Sequence, residues 1–535
     1  MVPRETAASI GFLRGGMTGD PVVIVGAGIG GLACAINLAG RGLSVTVVER
    51  AKTAGGKMRE VAVGGTRMDA GPTVFTMRWV FDELFESAGA TLTDYLSLTP
   101  LQTLARHAWS ENERFDLFSD VVRSADAVAA FSGPAEGRRF LAFCAEAREM
   151  YNILKKPFLS SPRPNPLTLA NRIGFGRFSA LFAIRPFETM WSALSAHFSD
   201  PRLRQLFGRY ATYSGSSPYA APATLMLIAH VEQEGVWVID GGMQRLAEAL
   251  ERLARTKGVA FRFGEEVSRV TVRNGVARGV TLSSGEYIES DAVVLNADAA
   301  ALSEGLFGMG AIAAVPPLRK SDRSLSAVTW ALSAQVEGFE PLRHNVFFSP
   351  DYLSEFDDIF RRRTLPRTPT IYVCAQDRVE NRPRPGIERL MILVNAPAVG
   401  DETSFSAKEI ATCETQIFNR LERCGLSVLA REAIITTPQD FHRLFPGTGG
   451  ALYGRSSHGW RASFLRPTSK TKIANLYLAG GSTHPGAGVP MAALSGRLAA
   501  QQLVSDRASM RSSRRAAIYG GMSTQSATMD VLQSR

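Results

Sequence analysis

The sequence predicts an α/β fold in which one parallel-sheet domain is visited three times and interleaved with a helical region and a mixed-sheet region. Three observations carry that prediction. The stretch PVVIVGAGIGGLACAINLAGRGLSVTVVER (21–50) reads as strand, glycine turn, helix, strand. The block 231–300 returns to strand–helix–strand patterning after a long helical excursion. The stretch NLYLAGGSTHPGAGVPMAALSGRLAAQQLV (475–504) repeats strand, glycine loop and helix near the end of the chain. The 535 residues suffice for two or three domains. The parallel-sheet domain is expected at 21–85, 231–300 and 470–505, the helical region at 86–230 and the mixed sheet at 301–469. Segments 1–20 and 506–535 are expected to be disordered, the latter because it is rich in Arg and Ser.

The apolar run Val22 to Val25 reads as a strand buried on both faces. Gly26, Gly28 and Gly31 follow with G-x-G-x-x-G spacing, with Ala27 and Gly30 among them. Gly26 lets the chain turn off the strand, Gly28 admits a pyrophosphate to the backbone, and Gly31 lets the helix pack on the sheet. The helix start offers free N–H groups and partial positive charge. Glu49 lies 23 residues after Gly26, placed to hydrogen-bond a ribose. Together these predict a Rossmann-like dinucleotide site.

After Arg50 comes a Gly55–Gly56–Lys57 corner, whose amides and lysine can face a pyrophosphate or a ring system. A plain β-turn is the alternative. RMDAGPTVF follows, with Asp69, Gly71, Pro72 and Thr73. A helix is expected over 79–88 and short strands over 96–122. The helical region from 124 to 229 is broken by SSPRPNPL at 160–167. Its segment 171–198 mixes Phe175, Phe178, Phe187 and Trp191 with Arg172, Arg177 and Arg185. That pattern suits helices at a bilayer surface, or core helices with snorkelling arginines.

In the block that returns to the parallel sheet, Gly241–Gly242 allow a tight turn and Val267 follows a strand end. Asn274–Gly275 mark a hairpin, and a buried strand ends at Asn296. Strands over 326–336, 345–349 and 370–374 and a helix over 406–424 are expected in the mixed-sheet region. In the closing unit, Gly480 and Gly481 open the loop, and Val489, Pro490 and Met491 lead into the helix. Pro490 suits the first helical position, and the helix is expected to run to about Leu503. Its N-terminus can face an electron-rich ring edge.

Net charge is +10, of which 506–535 carries +3 from five Arg and two Asp. The remaining excess is a solvated basic face or an attraction to anionic lipid. No basic run is interleaved with aromatic residues on a recognisable module, so nucleic acid is not an expected partner. No window of 18 uninterrupted apolar residues predicts a spanning helix, and residues 1–20 do not read as a signal peptide. Met17 is an alternative start. Five cysteines form no C-x-x-C pair, which favours a reducing compartment. Seven histidines have no metal-ligand spacing and no G-x-S-x-G elbow appears, so neither a metal site nor a hydrolase is expected.

The glycine fingerprint with Glu49, the Gly55–Gly56–Lys57 corner, Asp69–Gly71–Pro72, GVWVIDGGMQRL and LYLAGGSTHPGAGVPMAALSG together resemble the bacterial-type phytoene desaturase family. Its members are FAD-dependent carotenoid desaturases within the amine-oxidase-like flavoproteins, whose fold is of the two-dinucleotide-binding type. DAGPTVFTMRWVFDELF and LYGRSSHGWRASFLRP are most similar to the family's hydroxyneurosporene desaturase branch. The resemblance implies FAD contacts at Gly26, Ala27, Gly28, Gly31, Glu49, Lys57, Val267 and Gly481, with the region from Met491 capping the flavin. The candidate set adds Gly30, Arg50, Gly56, Pro72, Thr73, Gly480, Val489 and Pro490. Many superfamily members carry Arg where this chain has Lys57.

What the resemblance implies is removal of two hydrogens from adjacent carbons of a polyene, a hydride passing to flavin in a dry apolar tunnel. Introduction of a C3–C4 double bond into a 1-hydroxy or 1-methoxy carotenoid is the expected step, and an earlier phytoene desaturation is the alternative. His484 is a candidate base or partner to reduced flavin, or else positions its loop. Asp69 is a second candidate, or else caps its own turn. A carotenoid isomerase, a non-enzymatic lipid carrier and an NAD-only dehydrogenase are the rival classes. The expected partners are a carotenoid, a membrane lipid surface docked through 171–198, and quinone or oxygen as electron acceptor. The expected location is the cytoplasm, peripheral on the inner or an intracytoplasmic membrane.

Overall fold

The computed structural model describes residues 20–159, 161–162, 184–379 and 386–520. Its organising element is a five-stranded parallel sheet. The strand order is Leu476–Leu478, Ala292–Leu295, Pro21–Val25, Ser44–Glu49 and Ala260–Phe263. Pro21 to Val25 pairs with both neighbours, Val23 opposite Val293 on one side and Thr46 on the other. The three visits of the chain therefore meet in one sheet.

Near-continuous apolar strands are required because both faces are covered. Val22, Ile24, Val45 and Val47 pack with the helices Ile29–Ala39, Gln244–Thr256 and Val489–Gly520. Val23, Val25 and Val48 turn the other way, onto an antiparallel sheet of Val267–Arg273, Val276–Leu282 and Tyr287–Glu289. Val267 follows the end of the strand Ala260–Phe263, as expected, and itself opens the next strand. The expected hairpin stands at Asn274 (φ 52°) and Gly275 (φ 74°), both left-handed as the two-residue turn requires. Helices Ile29–Ala39 and Val489–Gly520 touch backbone to backbone. A Cβ on Gly496 would stand 2.1 Å from the Gly30 carbonyl oxygen.

The second layer is a seven-stranded sheet in the order 426–436, 326–338, 388–396, 371–375, 344–347, 103–108 and 114–118. The two short strands at its edge come from 96–122, where short strands are expected. Thr103–Ala108 pairs in parallel with His344–Phe347, and Arg114–Phe118 pairs antiparallel with Thr103–Ala108, so both join the mixed sheet instead of standing apart. Period-2 alternation sorts this sheet's faces. Val328, Trp330, Ile392 and Val394 pack on the amphipathic helix Ala407–Arg423. That helix opens with a reciprocal capping box between Ser406 and Glu409. Thr329, Met391, Leu393 and Tyr372 face the opposite way, into a cavity roofed by the helical region.

Two expectations about chain ends and surfaces change. The last helix runs from Val489 to Gly520 rather than stopping near Leu503, so 506–520 is helical and not disordered. Asp506 accepts from Tyr477 Oη and Gln502 Nε2 and pairs with Lys470, and Arg507 pairs with Asp20, which holds the helix past the sheet. Residues 1–19 and 521–535 lie outside the described residues. So do 163–183, with Arg172 and Arg177 and most of the segment expected to dock on lipid. Arg185 is described, and it is ion-paired to Glu146 and Glu188 rather than free for a headgroup. Among the described residues no helix is long and apolar enough to cross a membrane.

Candidate active site

The C-terminal ends of the central strands open onto one cavity of about 1700 Å³. That exceeds the ~300–1,000 Å³ of a pocket for one drug-sized molecule. Parallel sheets bind ligands at this edge, where strand order reverses. Gly26 leaves its strand at φ 100° with its N–H donating to Val48 O at 2.8 Å. The helix Ile29–Ala39 has no capping side chain and no acidic residue in its first turn, so its first N–H groups remain open to an anion. Gly55 donates to Ala27 O at 2.9 Å, which folds the Gly–Gly–Lys corner against the fingerprint.

Space confirms why glycine stands here. A Cβ on Gly28 would come within 2.7 Å of Asn296 Oδ1, and one on Gly30 within 2.8 Å of the Gly480 nitrogen. Asn296 Oδ1 is buried without a hydrogen-bond partner and so is ready to accept from a bound group. The cradle, with its open amides and this unsatisfied acceptor, fits a dinucleotide. Glu49 accepts from Ala27 N at 2.7 Å and Ala51 N at 2.8 Å, which fixes its carboxylate at the cavity wall.

Gly26, Gly28, Gly30, Glu49, Arg50, Gly56, Lys57, Pro72, Thr73 and Val267 all line this cavity, as do Gly480, Gly481, Val489, Pro490 and Met491. Ala27 and Gly31 lie beneath it. Ala27 contributes its N–H to Glu49, and Gly31 packs where a Cβ would be 2.2 Å from Gly26 O. Val489 rather than Pro490 begins the last helix. Lys57 Nζ donates to Leu452 O at 2.6 Å and lies 5.4 Å from the Phe445 ring centre. Burial pushes its pKa below the ordinary lysine value, against the pull of Asp298. Arg50 donates to Leu444 O and pairs with Glu266 at 3.8 Å.

The two catalytic candidates do not reach the cavity. His484 is 1% exposed, its Nε2 bonded to Phe158 O at 3.0 Å and its ring edge-on to Phe158. Burial lowers its pKa to about 4, so it is a neutral imidazole that positions its loop. Asp69 accepts from Met243 N at 2.8 Å and Gln244 N at 3.3 Å. It caps the helix Gln244–Thr256, which starts 175 residues away, and not its own turn. Burial raises its pKa despite those two bonds.

Sequence reasoning missed three features of the wall. Asn296 was signalled by a polar residue at the very end of an apolar strand. Arg466, 5% exposed, donates to the carbonyls of Tyr453, Gly481 and Arg455, and burial lowers its pKa to about 10. A polar cluster of Arg209, Tyr213, Glu232 and Tyr372, joined to the expected Thr73, also lines the cavity. Leu225, Ile228, Val231, Met391 and Leu393 give the far wall its apolar surface, with Thr212, Ser214, Thr329 and Asn395 among them.

The flavin containing amine oxidoreductase family model matches residues 29–504. A hydroxyneurosporene desaturase of Rubrivivax gelatinosus is 53% identical over 518 residues, 95% of this chain and 97% of that protein. One of Cereibacter sphaeroides is 43% identical over 493 residues, 91% and 98% of the two chains. Among solved structures, an oxidoreductase from Methanosarcina mazei superposes with TM-score 0.55 at 18% identity, covering 89% of this chain and 99% of that one. That last likeness shows a shared fold. A flavin carried in a dinucleotide cradle is FAD, and with the family model spanning nearly every element described above, this chain is an FAD-dependent oxidoreductase that belongs to the flavin-containing amine oxidoreductase family.

Proposed function

We propose that the chain is a carotenoid desaturase that introduces a C3–C4 double bond into 1-hydroxyneurosporene or a related 1-hydroxy or 1-methoxy carotenoid. The observation that carries this reading is the continuity of one cavity from the dinucleotide cradle to a long apolar wall. The two relatives above, which match nearly the whole chain, are named for that activity. FAD, when bound, supplies the acceptor for a hydride. The chain's own residues then need to bind, orient and keep dry a polyene whose C–H bonds are already weakened by the neighbouring conjugation. Leu225, Ile228 and Val231 from the helical roof and Met391 and Leu393 from the sheet form the walls that hold it. His484 and Asp69 lie off the cavity, which supports structural roles for both.

Pigment chromatography in cells making neurosporene and its 1-hydroxy derivative, with and without this chain, tests the reading. A new double bond confined to the hydroxylated compound supports it. Gains beginning at phytoene move the chain to the earlier step, and changed geometry without a new double bond makes it an isomerase.

The reading extends to a peripheral attachment on the cytoplasmic side of the inner or an intracytoplasmic membrane, because the substrate is a membrane hydrocarbon. Exposed apolar side chains beside the cavity support it. Phe187 is 79% exposed and packs edge-on against Trp460, itself 40% exposed and part of the cavity wall. Quinone or oxygen is the proposed electron acceptor. Reoxidation of the reduced holoenzyme by each, without the other, distinguishes them.

A further inference from the structure

Inside the apolar part of the cavity stands a compact charged group. Arg209 and Glu232 both face the lumen, although Glu232 is 7% exposed. Tyr210 Oη and Tyr213 Oη each donate to one Glu232 oxygen at 2.6 Å. Arg209 lies against the faces of Tyr213 and Tyr372, at 5.5 and 5.3 Å from their ring centres. Its one hydrogen-bond partner among the described residues is Tyr213 Oη, at 3.5 Å. A guanidinium carries five N–H donors, so most of its capacity is unspent. Tyr372 Oη continues the cluster, bonded to Thr73 Oγ1 and to His344 Nδ1 at 2.7 Å each. Thr73 follows Pro72 in the segment that passes beside Lys57, where a Cβ on Gly71 would stand 2.0 Å from Lys57 O.

We infer that Arg209, with Tyr213 and Glu232, is the subsite for the hydroxyl end of the carotenoid. The inference rests on the desaturase reading and specifies how that site selects its substrate. Three features point to a neutral hydroxyl. The cation and the carboxylate of the cluster balance each other, so an anion would meet Glu232 as well as Arg209. A hydroxyl can accept from Arg209 and donate to a remaining lone pair of Glu232 or Tyr213, which an unsubstituted hydrocarbon cannot. Leu225, Ile228, Val231, Met391 and Leu393 give the cavity a long apolar surface beside the cluster, which suits a molecule polar chiefly at one end. The link through Tyr372 and Thr73 sets the cluster beside the segment that borders the dinucleotide cradle. A hydroxyl held there brings the carbons a few bonds away toward the reacting position. A site built around a hydroxyl rejects the analogue lacking it, because its own buried polar groups are then left unpaired.

The test compares 1-hydroxyneurosporene with neurosporene on the FAD-loaded full chain, by equilibrium binding and by kcat/KM. Wild type is expected to favour the hydroxylated polyene at least tenfold in binding (about one charge-assisted hydrogen bond). In Arg209→Met and Tyr213→Phe that preference is expected to fall by about tenfold in both binding and kcat/KM, with Arg209→Lys recovering part of it. Flavin content and thermal unfolding report folding. If Arg209→Met does not load flavin, the milder Tyr213→Phe carries the comparison. Equal losses on both polyenes, or a loss confined to reoxidation by a quinone, overturn the subsite. Wild type that binds both polyenes alike also overturns it, whatever it catalyses. Wild type that discriminates in binding but desaturates neither keeps the subsite and sinks the desaturase reading.

Discussion

Asn296 Nδ2 donates to the Ala479 carbonyl at 3.0 Å and so ties together the C-terminal ends of two neighbouring parallel strands. The other end of the same amide, Oδ1, is buried without a partner beside Gly28. One half of this side chain closes the sheet edge and the other half is aimed at the cradle. An unsatisfied buried acceptor costs ~1–3 kcal/mol, which a donor on the bound dinucleotide would offset. Asn296→Ala is therefore expected to weaken FAD binding by about tenfold or more. Titration of the apoprotein with FAD measures this, and an unchanged Kd would remove Asn296 from the site.

The cradle's glycines make a steric prediction. A Cβ on Gly30 would sit 2.7 Å from Asn296 Nδ2, 2.8 Å from Gly480 N and 2.9 Å from Gly480 Cα, so backbone as well as side chain would have to shift. Gly30→Ala is expected to destabilise the fold by ~1–3 kcal/mol through overpacking and to empty it of flavin. Gly65 has φ 73° and no atom within 4 Å of a built Cβ. Gly65→Ala should thus lose some stability through backbone strain but keep its flavin. Flavin content after gel filtration separates the two. Full loading of Gly30→Ala would refute the close approach.

His484 makes a prediction about pH. Burial holds its folded pKa near 4, below the ordinary 6.5. Between those values the unfolded chain binds the proton and the folded chain does not, so stability rises with pH over this window and is lost on acidification through it. The full difference is about 3 kcal/mol. His484→Asn should flatten the stability-versus-pH curve between pH 6.5 and 4. The kcat/KM profile of the wild type should show no step belonging to this imidazole. A base role would instead appear as a large loss of kcat in His484→Asn with stability unchanged.

Asp69 is expected to behave as a cap and not as an acid or base. Its carboxylate receives two N–H groups at the start of the helix Gln244–Thr256, and Gly242 leaves it room, since a Cβ there would be 2.8 Å from Asp69 Oδ2. Asp69→Ala should lower stability by about 1 kcal/mol, as loss of a helix cap does, while FAD affinity stays the same. A fall in FAD affinity with stability untouched would return Asp69 to the active site.

The nucleotide-binding half was legible because it is local. Strand, glycine turn, helix and acid follow one another within 21–50, and each glycine answers a close contact near it in sequence or at the sheet edge. The far wall was not legible because it is assembled from distant segments. Arg209 and Glu232 sit among helical residues with no local signature, and Tyr372 meets Thr73 across 299 residues of chain. Asp69 misled for the same reason, since its capped helix begins far along the sequence. The last helix outran its expected end because Ser, Arg and Ala after Leu503 include neither Pro nor Gly before Gly520, so nothing local stops it.

The cavity rim bears on membrane attachment. Phe187 and Trp460 meet at 5.4 Å between ring centres, Phe187 largely and Trp460 partly exposed, and Leu465 nearby in sequence is 50% exposed. Aromatic rings with one apolar body and one wet edge favour the headgroup boundary of a bilayer. Arg185 is engaged by two carboxylates, so insertion of these side chains, and not that cation, is expected to supply the described part of the attachment. Phe187→Ser with Trp460→Ser should reduce flotation with liposomes about tenfold, in neutral lipid as well as anionic, and leave FAD content unchanged. Apolar insertion persists in high salt, whereas attraction through the net +10 charge is screened. If flotation survives the double substitution but disappears in salt, attachment runs through charge and the aromatic rim has another role.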